Sequence, residues 1–224
     1  MANQITAVRK ACAINDAAIK ETLANFHNFK TERDVARFLD KQLRKLGAKL
    51  SFPTIVANGK NAFELHHKPA RKRLKRGFTI IDFGAKMSGF CTDVTRTIFV
   101  GKPSQKEKNL YNLVLNSQTK CVAASKPGIL GSELDHLAVR LLKQHAPDFR
   151  HSLGHGLGKK VHTKPNISSR SADRLKSGQL IAIEAGVYLK DKLGIRIEDT
   201  VLVAKKPGPI TKFTKNLITV GLGE

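Results

Sequence analysis

The stretch FTIIDFGAKMSGFCTDVTRTIFV, residues 78–100, determines how the rest of the chain is interpreted. Its two ends are apolar and rich in β-branched residues, which predicts two strands at residues 78–85 and Val94–Val100 with a bend between them. Asp82 interrupts the first strand, and Asp93 stands at the start of the second, eleven residues later. A carboxylate in an apolar strand is unfavourable unless it is paired or binds a metal.

Two further acids interrupt apolar strands near the end of the chain. Glu184 lies in LIAIEAGVYL, and Glu198 lies in GIRIEDTVLV, two residues after Arg196. A single acid of this kind is usually explained by a neighbouring arginine or lysine. Four such acids, in four separate predicted strands, are harder to explain by pairing, and they favour a metal site.

Histidines cluster in the segment HSLGHGLGKKVH, which contains His151, His155 and His162. The glycines between them allow close approach of the backbone. A lone histidine is more often structural, whereas three within twelve residues beside buried acids favour a site. Carboxylates with an imidazole suit Mn²⁺, Co²⁺, Fe²⁺ or Zn²⁺, and two such ions can share a bridging hydroxide and polarise a carbonyl. The residues alone therefore predict a metal-dependent hydrolase.

Both halves of the chain are predicted to contain two helices followed by strands. A further strand is predicted at residues 52–57, with a turn at residues 58–59, and two late strands near residues 179–189 and 194–203. This order predicts a duplicated α/β architecture with the site between the halves. The helix signals are capping boxes at Thr31 with Asp34, Ser104 with Glu107 and Ser132 with Asp135, and ends at Gly47, at about Lys126 before Pro127, and at about His145.

The composition is strongly basic. Among 224 residues, forty Lys and Arg stand against eighteen Asp and Glu, a formal charge of +22. Such a surface attracts polyanions. A generally lysine-rich composition and a functional nucleic-acid or ribosome contact both remain open as explanations.

Location and cysteine usage are predicted from what the chain lacks. It has no apolar run of eighteen residues and no uninterrupted apolar stretch at its start, so neither a membrane span nor export is expected. Three widely spaced cysteines fit reduced thiols in a cytoplasmic protein better than disulfides or a zinc site.

A basic run, KPARKRLKR, occupies residues 68–76 and carries six cations in nine positions. It is predicted to be a loop or hairpin arm. A solvated loop, a nucleic-acid contact and a guide for anionic peptide ends near the site all remain open. The run has no aromatic residue, which argues against base stacking on single strands.

Four motifs together resemble one known superfamily, that of methionine aminopeptidase, aminopeptidase P and prolidase, whose shared catalytic domain is called the pita-bread fold. The motifs are IDFGAKMSGFCTDVTRT, LGHGLG, IEAGVY and IRIED, in that order and at the family's spacing. The resemblance runs over nearly the whole chain. It implies a single α/β (α+β) pita-bread domain over residues 1–224, two similar halves around a dinuclear metal site, without the extra N-terminal creatinase-type domain.

The resemblance also implies a role for each matching residue. Asp82 is expected to bind one ion, His155 and Glu184 the other, and Asp93 and Glu198 both. Glu184 would also accept the proton of the attacking water. Auxiliary roles fall on His162, which would steady the substrate and the oxyanion, and on His66 near the scissile bond, with His67 as its competitor. The two ions are expected to be Mn²⁺ or Co²⁺, with Fe²⁺ or Zn²⁺ as alternatives.

His151, Arg196 and the tyrosine of the IEAGVY motif, Tyr188, resemble the Xaa-Pro branch. The resemblance therefore implies removal of an N-terminal residue that precedes proline, with His151 and Arg196 binding substrate and Arg196 also orienting Glu198. Alternatives are a methionine aminopeptidase, a creatinase-like amide hydrolase, and a non-catalytic nucleic-acid or ribosome-binding member. Such non-catalytic members have typically lost metal ligands, which here are complete. The implied partners are a peptide substrate and no membrane, and a homodimer stays open.

Overall fold

The computed structural model describes residues 2–221, and this part of the chain contains four α-helices joined to short strands. The capping boxes predicted at Thr31 and Ser104 are both formed, each with a hydroxyl that accepts the backbone N–H three residues on. The two-helix start predicted for the first fifty residues is confirmed. The helices are α1 (Ala2–Ala24), α2 (Glu32–Lys45), α3 (Gln105–Ala124) and α4 (Gly131–Leu142).

Twelve strands form three sheets within the described residues. The strands predicted at residues 78–85 and Val94–Val100 are confirmed, the first of them interrupted at Gly84, as are the two long late strands. The strands are β1 (Lys49–Leu50), β2 (Ile55–Asn58), β3 (Gly77–Phe83), β4 (Ala85–Met87), β5 (Phe90–Cys91), β6 (Val94–Val100), β7 (Gly154–Gly156), β8 (Thr163–Ile167), β9 (Leu180–Leu189), β10 (Leu193–Leu202), β11 (Gly208–Pro209) and β12 (Thr219–Val220).

The sheets follow the two halves of the chain. One sheet has the strand order β12-β6-β3-β2, a second has β11-β10-β9-β7-β8, and a small third sheet has β1-β4-β5. All pairs are antiparallel except β6 with β12. One buried apolar cluster includes α3, α4 and the second sheet, and another includes α1, α2 and the first sheet. Each half therefore packs two helices on its own sheet, as the duplicated pattern predicted.

The two large sheets meet along a seam between β6 and β10 in which threonine hydroxyls replace backbone pairing. The Thr97 hydroxyl donates to the Arg196 carbonyl at 2.7 Å and accepts the Arg196 N–H at 3.1 Å. The Thr200 hydroxyl makes the same pair of bonds with Asp93, at 2.8 and 3.1 Å. The partners advance in opposite directions along the two strands, so the seam is antiparallel and joins the halves in a fixed register.

Three sequence predictions need correction. The α4 helix does not begin with Ser132 and Asp135. Its cap is Leu130, whose backbone N–H donates to Glu133 at 2.8 Å. Asp135 instead accepts the Leu153 N–H, because it lies on the inner face of the helix. Since α4 ends at Leu142, the predicted extension to about His145 is a 3-10 turn, Lys143–Asp148.

The strand predicted at residues 52–57 is shorter and lies later, at β2. Because residues 51–54 bend away to form a wall beside the sheet, only β2 pairs with β3. The turn predicted at residues 58–59 is the start of a 3-10 turn, Gly59–Phe63, and Gly59 has the positive φ of 59° expected there. Within residues 2–221, no helix is both long and apolar enough to cross a bilayer.

Asp199 anchors the C-terminal segment beneath the seam. It accepts hydrogen bonds from Arg96 at 2.9 Å and from Lys215 at 2.7 Å. Thr211 donates at 2.7 Å and Gln118 at 3.1 Å, so both oxygens are satisfied. Burial alone would raise the pKa of Asp199, but the Arg96 and Lys215 cations lower the pKa below its usual value. The segment that follows β11 is therefore held against both sheets by one buried acid.

We expect Asp199→Ala to lower the free energy of unfolding by about 3–5 kcal/mol, because Arg96 would remain buried, and Lys215 partly buried, without their counterion. Urea denaturation followed by circular dichroism measures this change. Arg44→Ala is the control, since Arg44 is 60% exposed and lies 3.8 Å from Asp40, and it should cost less than about 1 kcal/mol. Equal losses in the two variants would contradict the assignment of Asp199 as an anchor.

Candidate metal centre

One cavity of about 580 Å³ lies between the two halves, and all the predicted site residues line it. Its walls come from both large sheets and from the segments at residues 52–55, 65–69 and 151–168, the last of which includes β7 and β8. The predicted residues on its wall are Asp82, Asp93, Glu184 and Glu198, the histidines His66, His67, His151, His155 and His162, and Arg196. The structure therefore brings together side chains that the sequence separates by more than a hundred positions.

The four acids are positioned by strand pairing. Asp82 lies in β3 opposite Thr95 of β6, and Asp93 directly precedes β6. Glu184 of β9 and Glu198 of β10 are direct cross-strand partners. Because β6 and β10 form the seam, each sheet contributes two carboxylates to the same cavity.

His155 is held by close backbone packing on both sides. A Cβ added at Gly154 would overlap the Ala182 carbonyl oxygen, and one at Gly156 would overlap the Lys164 carbonyl oxygen. The prediction that these glycines allow close backbone approach is confirmed. The His155 Nδ1–H donates to the Gly156 carbonyl at 3.1 Å, so the lone pair of Nε2 faces the cavity, 3.7 Å from Asp93 Oδ2.

Three groups of side chains offer ligand atoms that lie within 4.8 Å of one another. Three residues, Asp93, His155 and Glu198, are each shared between two groups. Glu198 joins Asp82 and Asp93 in one group and His155 and Glu184 in another. Asp93 also belongs to the third group, with His155 and His162. Asp93 and Glu198 are the shared carboxylates, and a carboxylate has two oxygens with which to bind two ions, so these two residues fit the bridging positions that the resemblance implied.

The carboxylates carry oxygens that lack a hydrogen-bond partner. Among residues 2–221, buried side-chain atoms without a partner include Asp82 Oδ1, Asp93 Oδ1 and Glu198 Oε1. Such orphaned anionic oxygens are unfavourable in a buried site unless a cation binds there. Oxygen donors with one imidazole are suitable for Mn²⁺, Co²⁺, Fe²⁺ or Zn²⁺. The residues present therefore fit a pair of divalent ions.

Burial and mutual repulsion shift the ionisation of these groups. Burial and the Glu198 carboxylate raise the pKa of Asp93 and of Glu184 well above their usual values. Burial and the Asp82 carboxylate raise the pKa of Glu198 to about 8. Burial lowers the pKa of His155 to about 4, which keeps its imidazole neutral and able to act as a ligand. Clustered carboxylates and a neutral imidazole are the state that a cation stabilises.

Arg196 connects the acids to a chain of hydrogen bonds. Its Nη2 donates to Asp82 Oδ2 at 2.7 Å and its Nη1 donates to the Tyr188 hydroxyl at 3.0 Å. His151 uses Nδ1 to donate to the Ser152 carbonyl at 2.8 Å, so the Tyr188 hydroxyl donates to His151 Nε2, also at 2.8 Å. Burial, followed by the Arg196 charge, lowers the pKa of His151 to about 3, which fits this neutral tautomer.

These hydrogen bonds bear on the predicted roles of Arg196 and His151. Arg196 is 4% exposed and its ion-pair partner is Asp82, so its predicted effect on Glu198 is indirect, through the Thr95 hydroxyl that bonds to both. Both ring nitrogens of His151 are occupied. The substrate-binding roles of Arg196 and His151 stay predictions, and the contacts show that both side chains also position their neighbours.

His66 and His67 differ clearly in their contacts. His67 Nε2 lies 2.8 Å from Glu32 Oε2, and its Nδ1 lies 3.0 Å from Glu64 Oε2. His66 is exposed on the same loop and faces the cavity, with no side-chain hydrogen bond among the described residues. His67 therefore fixes the loop to α2, and His66 is the one available to a substrate. His162 is also exposed, and its ring packs edge-on against His155 with centroids 4.3 Å apart.

Sequence reasoning missed the residues that support the acids. The Thr95 hydroxyl donates to Glu198 Oε2 at 2.7 Å, and Arg96 Nη1 donates to the backbone carbonyls of Thr95 and Glu198 at 3.0 and 2.6 Å. Thr200 makes the seam bonds to Asp93 described above. The sequence signal for these residues was that Thr95 and Thr97 stand two positions apart in β6, which places both side chains on the face of the strand that meets the seam.

The comparison with protein families identifies the chain. Residues 6–205 match the model of metallopeptidase family M24. The chain therefore belongs to this family. It is 38% identical over 220 residues to a Xaa-Pro dipeptidase of Pyrococcus horikoshii, and the match covers 96% of this chain and 63% of that protein.

Solved structures give the same result for the fold. An X-Pro aminopeptidase from Thermotoga maritima superposes with a TM-score of 0.94 at 33% identity, covering 98% of this chain and 64% of that chain. A Xaa-Pro dipeptidase from Bacillus anthracis superposes with a TM-score of 0.93 at 36% identity, covering 98% and 63%. The predicted pita-bread fold and the resemblance to the Xaa-Pro branch are confirmed. The chain spans less than two thirds of the length of these relatives.

We expect His67→Gln to destabilise the fold more at pH 5.5 than at pH 9. Burial lowers the pKa of His67, but hydrogen bonds to Glu64 and Glu32 outweigh it and the net pKa is raised. The stabilisation from a raised pKa is complete below the unfolded value of about 6.5 and is lost as the pH rises through the folded value. Urea denaturation of both proteins at the two pH values measures the difference.

Glu64→Gln removes one of the two carboxylates that face His67 and should weaken this pH dependence. A difference between wild type and His67→Gln that stays constant from pH 5.5 to 9 would contradict the role of His67 as a charged tether.

Proposed function

We propose that this protein is a dinuclear metal-dependent peptidase that removes the N-terminal residue from Xaa-Pro peptides. The observation that carries the proposal is the convergence of four carboxylates, three within strands and Asp93 directly before one, and of His155 on one cavity, with three buried carboxylate oxygens unpaired. Family membership supports the metal dependence, and relatives named Xaa-Pro dipeptidase and X-Pro aminopeptidase support the substrate class.

Asp82 would bind one ion, His155 and Glu184 the other, and Asp93 and Glu198 both. The ligand groups support this assignment, since Glu198 belongs both to the Asp82 group and to the Glu184 group, and Asp93 belongs both to the Asp82 group and to a group with His155. When bound, two divalent ions would polarise the peptide carbonyl and make water nucleophilic at neutral pH. Mn²⁺ or Co²⁺ is the first expectation, since the donors are carboxylates and one imidazole.

Glu184 is the residue best placed to accept a proton from the attacking water. Its side chain is 18% exposed toward the cavity, whereas its cross-strand partner Glu198 is almost fully buried. A proton acceptor must reach the water beside the scissile carbonyl, and only Glu184 of the pair has an open side. Its Oε2 lies 3.7 Å from His151 Nδ1, which limits the directions in which the carboxylate can turn.

His162 and His66 would contact the substrate. Both are exposed on cavity loops, so each can donate a hydrogen bond toward the peptide without breaking a bond in the structure. His162, beside His155, would stabilise the oxyanion, and His66 would contact the peptide near the scissile bond. Arg196 would hold Asp82 in place. The Tyr188 hydroxyl, hydrogen-bonded to both Arg196 and His151, would fix the His151 ring relative to Arg196.

The direct test is hydrolysis of Ala-Pro, Ala-Pro-Ala and Met-Ala-Ser by metal-stripped protein, before and after Mn²⁺ or Co²⁺ is added. Cleavage of the proline peptides that depends on metal is the expected result. Cleavage of Met-Ala-Ser alone would assign the chain to the methionine branch instead. No cleavage with metal demonstrably bound would favour a non-catalytic role.

We expect Glu184→Gln to lower kcat by about 10³-fold or more, because loss of a positioned general base removes about 10²–10⁴-fold and a metal ligand is weakened as well. The melting temperature of the metal-free protein should change little, since the side chain is partly exposed. Glu21→Gln, an exposed change on α1, is the matched control. Near-normal turnover in Glu184→Gln would rule out its role as proton acceptor.

A further inference from the structure

A second depression adjoins the metal cavity and has a different chemical character. It encloses about 570 Å³ and shares Phe52, Pro53, Thr54 and Pro69 with the wall of the metal cavity. The two spaces are thus separated only by the segment at residues 52–54 and by Pro69. The second depression lies on the α2 side of that segment, and we refer to it as the groove.

Two arginines on one face of α2 line this groove and do not line the metal cavity. Arg33 and Arg37 are four residues apart, so their side chains lie one helical turn from each other. Within residues 2–221, the arginine ion pairs and side-chain hydrogen bonds are formed by Arg44, Arg76, Arg96, Arg150, Arg174 and Arg196, so neither Arg33 nor Arg37 has such a partner. A guanidinium without a partner in a groove is suited to a carboxylate, which it can bind through two parallel hydrogen bonds.

The acid in the same groove does not compete strongly for these cations. Asp40 accepts the Thr54 hydroxyl at 2.6 Å and lies 3.8 Å from Arg44. Lys68 adds a further cation, since it is exposed on the wall of the metal cavity. The groove therefore becomes positive as it leads away from the anionic metal site.

We propose that this groove binds the part of a peptide beyond the scissile bond, and that Arg33 and Arg37 recognise a carboxylate on that part. This inference rests on the proposed function. An enzyme that removes the first residue must hold the free N-terminus at the metal site, so the rest of the peptide has to leave the cavity. The segment at residues 52–54, shared by both spaces, provides a continuous wall for that exit.

The inference selects peptides longer than two residues. In a dipeptide the terminal carboxylate lies one residue from the scissile bond, inside the metal cavity. Arg33 and Arg37 do not line that cavity. Each added residue of extended peptide carries the carboxylate about 3.3–3.6 Å further out. The arginines should therefore affect longer peptides and leave Ala-Pro unaffected.

The test compares the wild-type protein with a double variant that combines Arg33→Gln and Arg37→Gln. The substrates are Ala-Pro and Ala-Pro extended by one to three alanines. Each extended peptide is used as the free acid and as the C-terminal amide, with metal supplied. We expect KM for the longer acids to rise about fivefold while kcat changes little, because partly exposed charge pairs supply binding of this size away from the reacting atoms. The amides should not change.

The matched control is Lys41→Gln combined with Lys45→Gln. These exposed lysines have the same spacing on the same helix and remove the same charge, but they do not line the groove. An amide peptide with one internal glutamate tells a side-chain carboxylate from a terminal one, since either source can bind the arginines.

Equal effects of the two double variants would overturn the inference, because they would indicate a general electrostatic attraction by the basic surface. Equal effects on acids and amides would overturn it as well. If the wild-type protein cleaves no proline peptide, the proposed function fails, and calorimetric binding of the acid and amide peptides still tests the groove. Weaker binding of the acid alone in the arginine variant supports the carboxylate site independently of turnover.

Discussion

The rest of the structure depends on the seam between β6 and β10. Two sheets that pair by backbone hydrogen bonds would place their side chains on the faces of one continuous surface. Here Thr97 and Thr200 insert hydroxyls between the backbones, so the strands lie side by side in register but turn toward a shared cavity. Asp93 and Glu198 come from opposite sides of this seam and offer ligand atoms to the same group. A site that needs ligands from both halves therefore depends on hydroxyl bonds that fix the halves to each other.

Buried acids near the seam fall into two kinds that look alike in the sequence. Asp199 has four donors, a lowered pKa and a structural role, whereas its neighbour Glu198 has one donor and an oxygen without a partner. The usual explanation of a buried acid, a nearby arginine or lysine, is correct for Asp199. It is half correct for Asp82, which pairs one oxygen with Arg196 and leaves the other unpaired. Only three-dimensional contacts distinguish a satisfied carboxylate from one that requires a cation.

The sequence predicted features that depend on neighbouring residues and missed those that depend on distant ones. The capping boxes of α2 and α3, the strands on both sides of Asp93 and the glycines around His155 all carry local signals, and the structure contains them. The predicted start of α4 was wrong because Ser132 and Glu133 present competing capping signals. The Glu133 side chain forms the capping hydrogen bond, which it accepts from the Leu130 N–H. The choice between His66 and His67 depended on Glu32, more than thirty residues away, so adjacent histidines could not be distinguished by spacing. The candidate ligands were predictable because metal chemistry restricts the residue types, whereas the threonines and Arg96 behind them have no such restriction.

The distribution of charge gives the molecule two opposite electrostatic environments. The chain is strongly basic overall, yet the metal cavity concentrates Asp82, Asp93, Glu184 and Glu198 in one small volume. Water screens the exterior cations within about 8–10 Å at physiological salt, while the buried carboxylates are screened much less. The interior field therefore favours small cations and, under the proposed function, would favour the positively charged N-terminus of a peptide. The exterior field attracts the opposite, negative end. Under the proposed function, a peptide that enters amino end first would align with both fields at once, so the basic exterior and the acidic cavity would favour one orientation of the substrate.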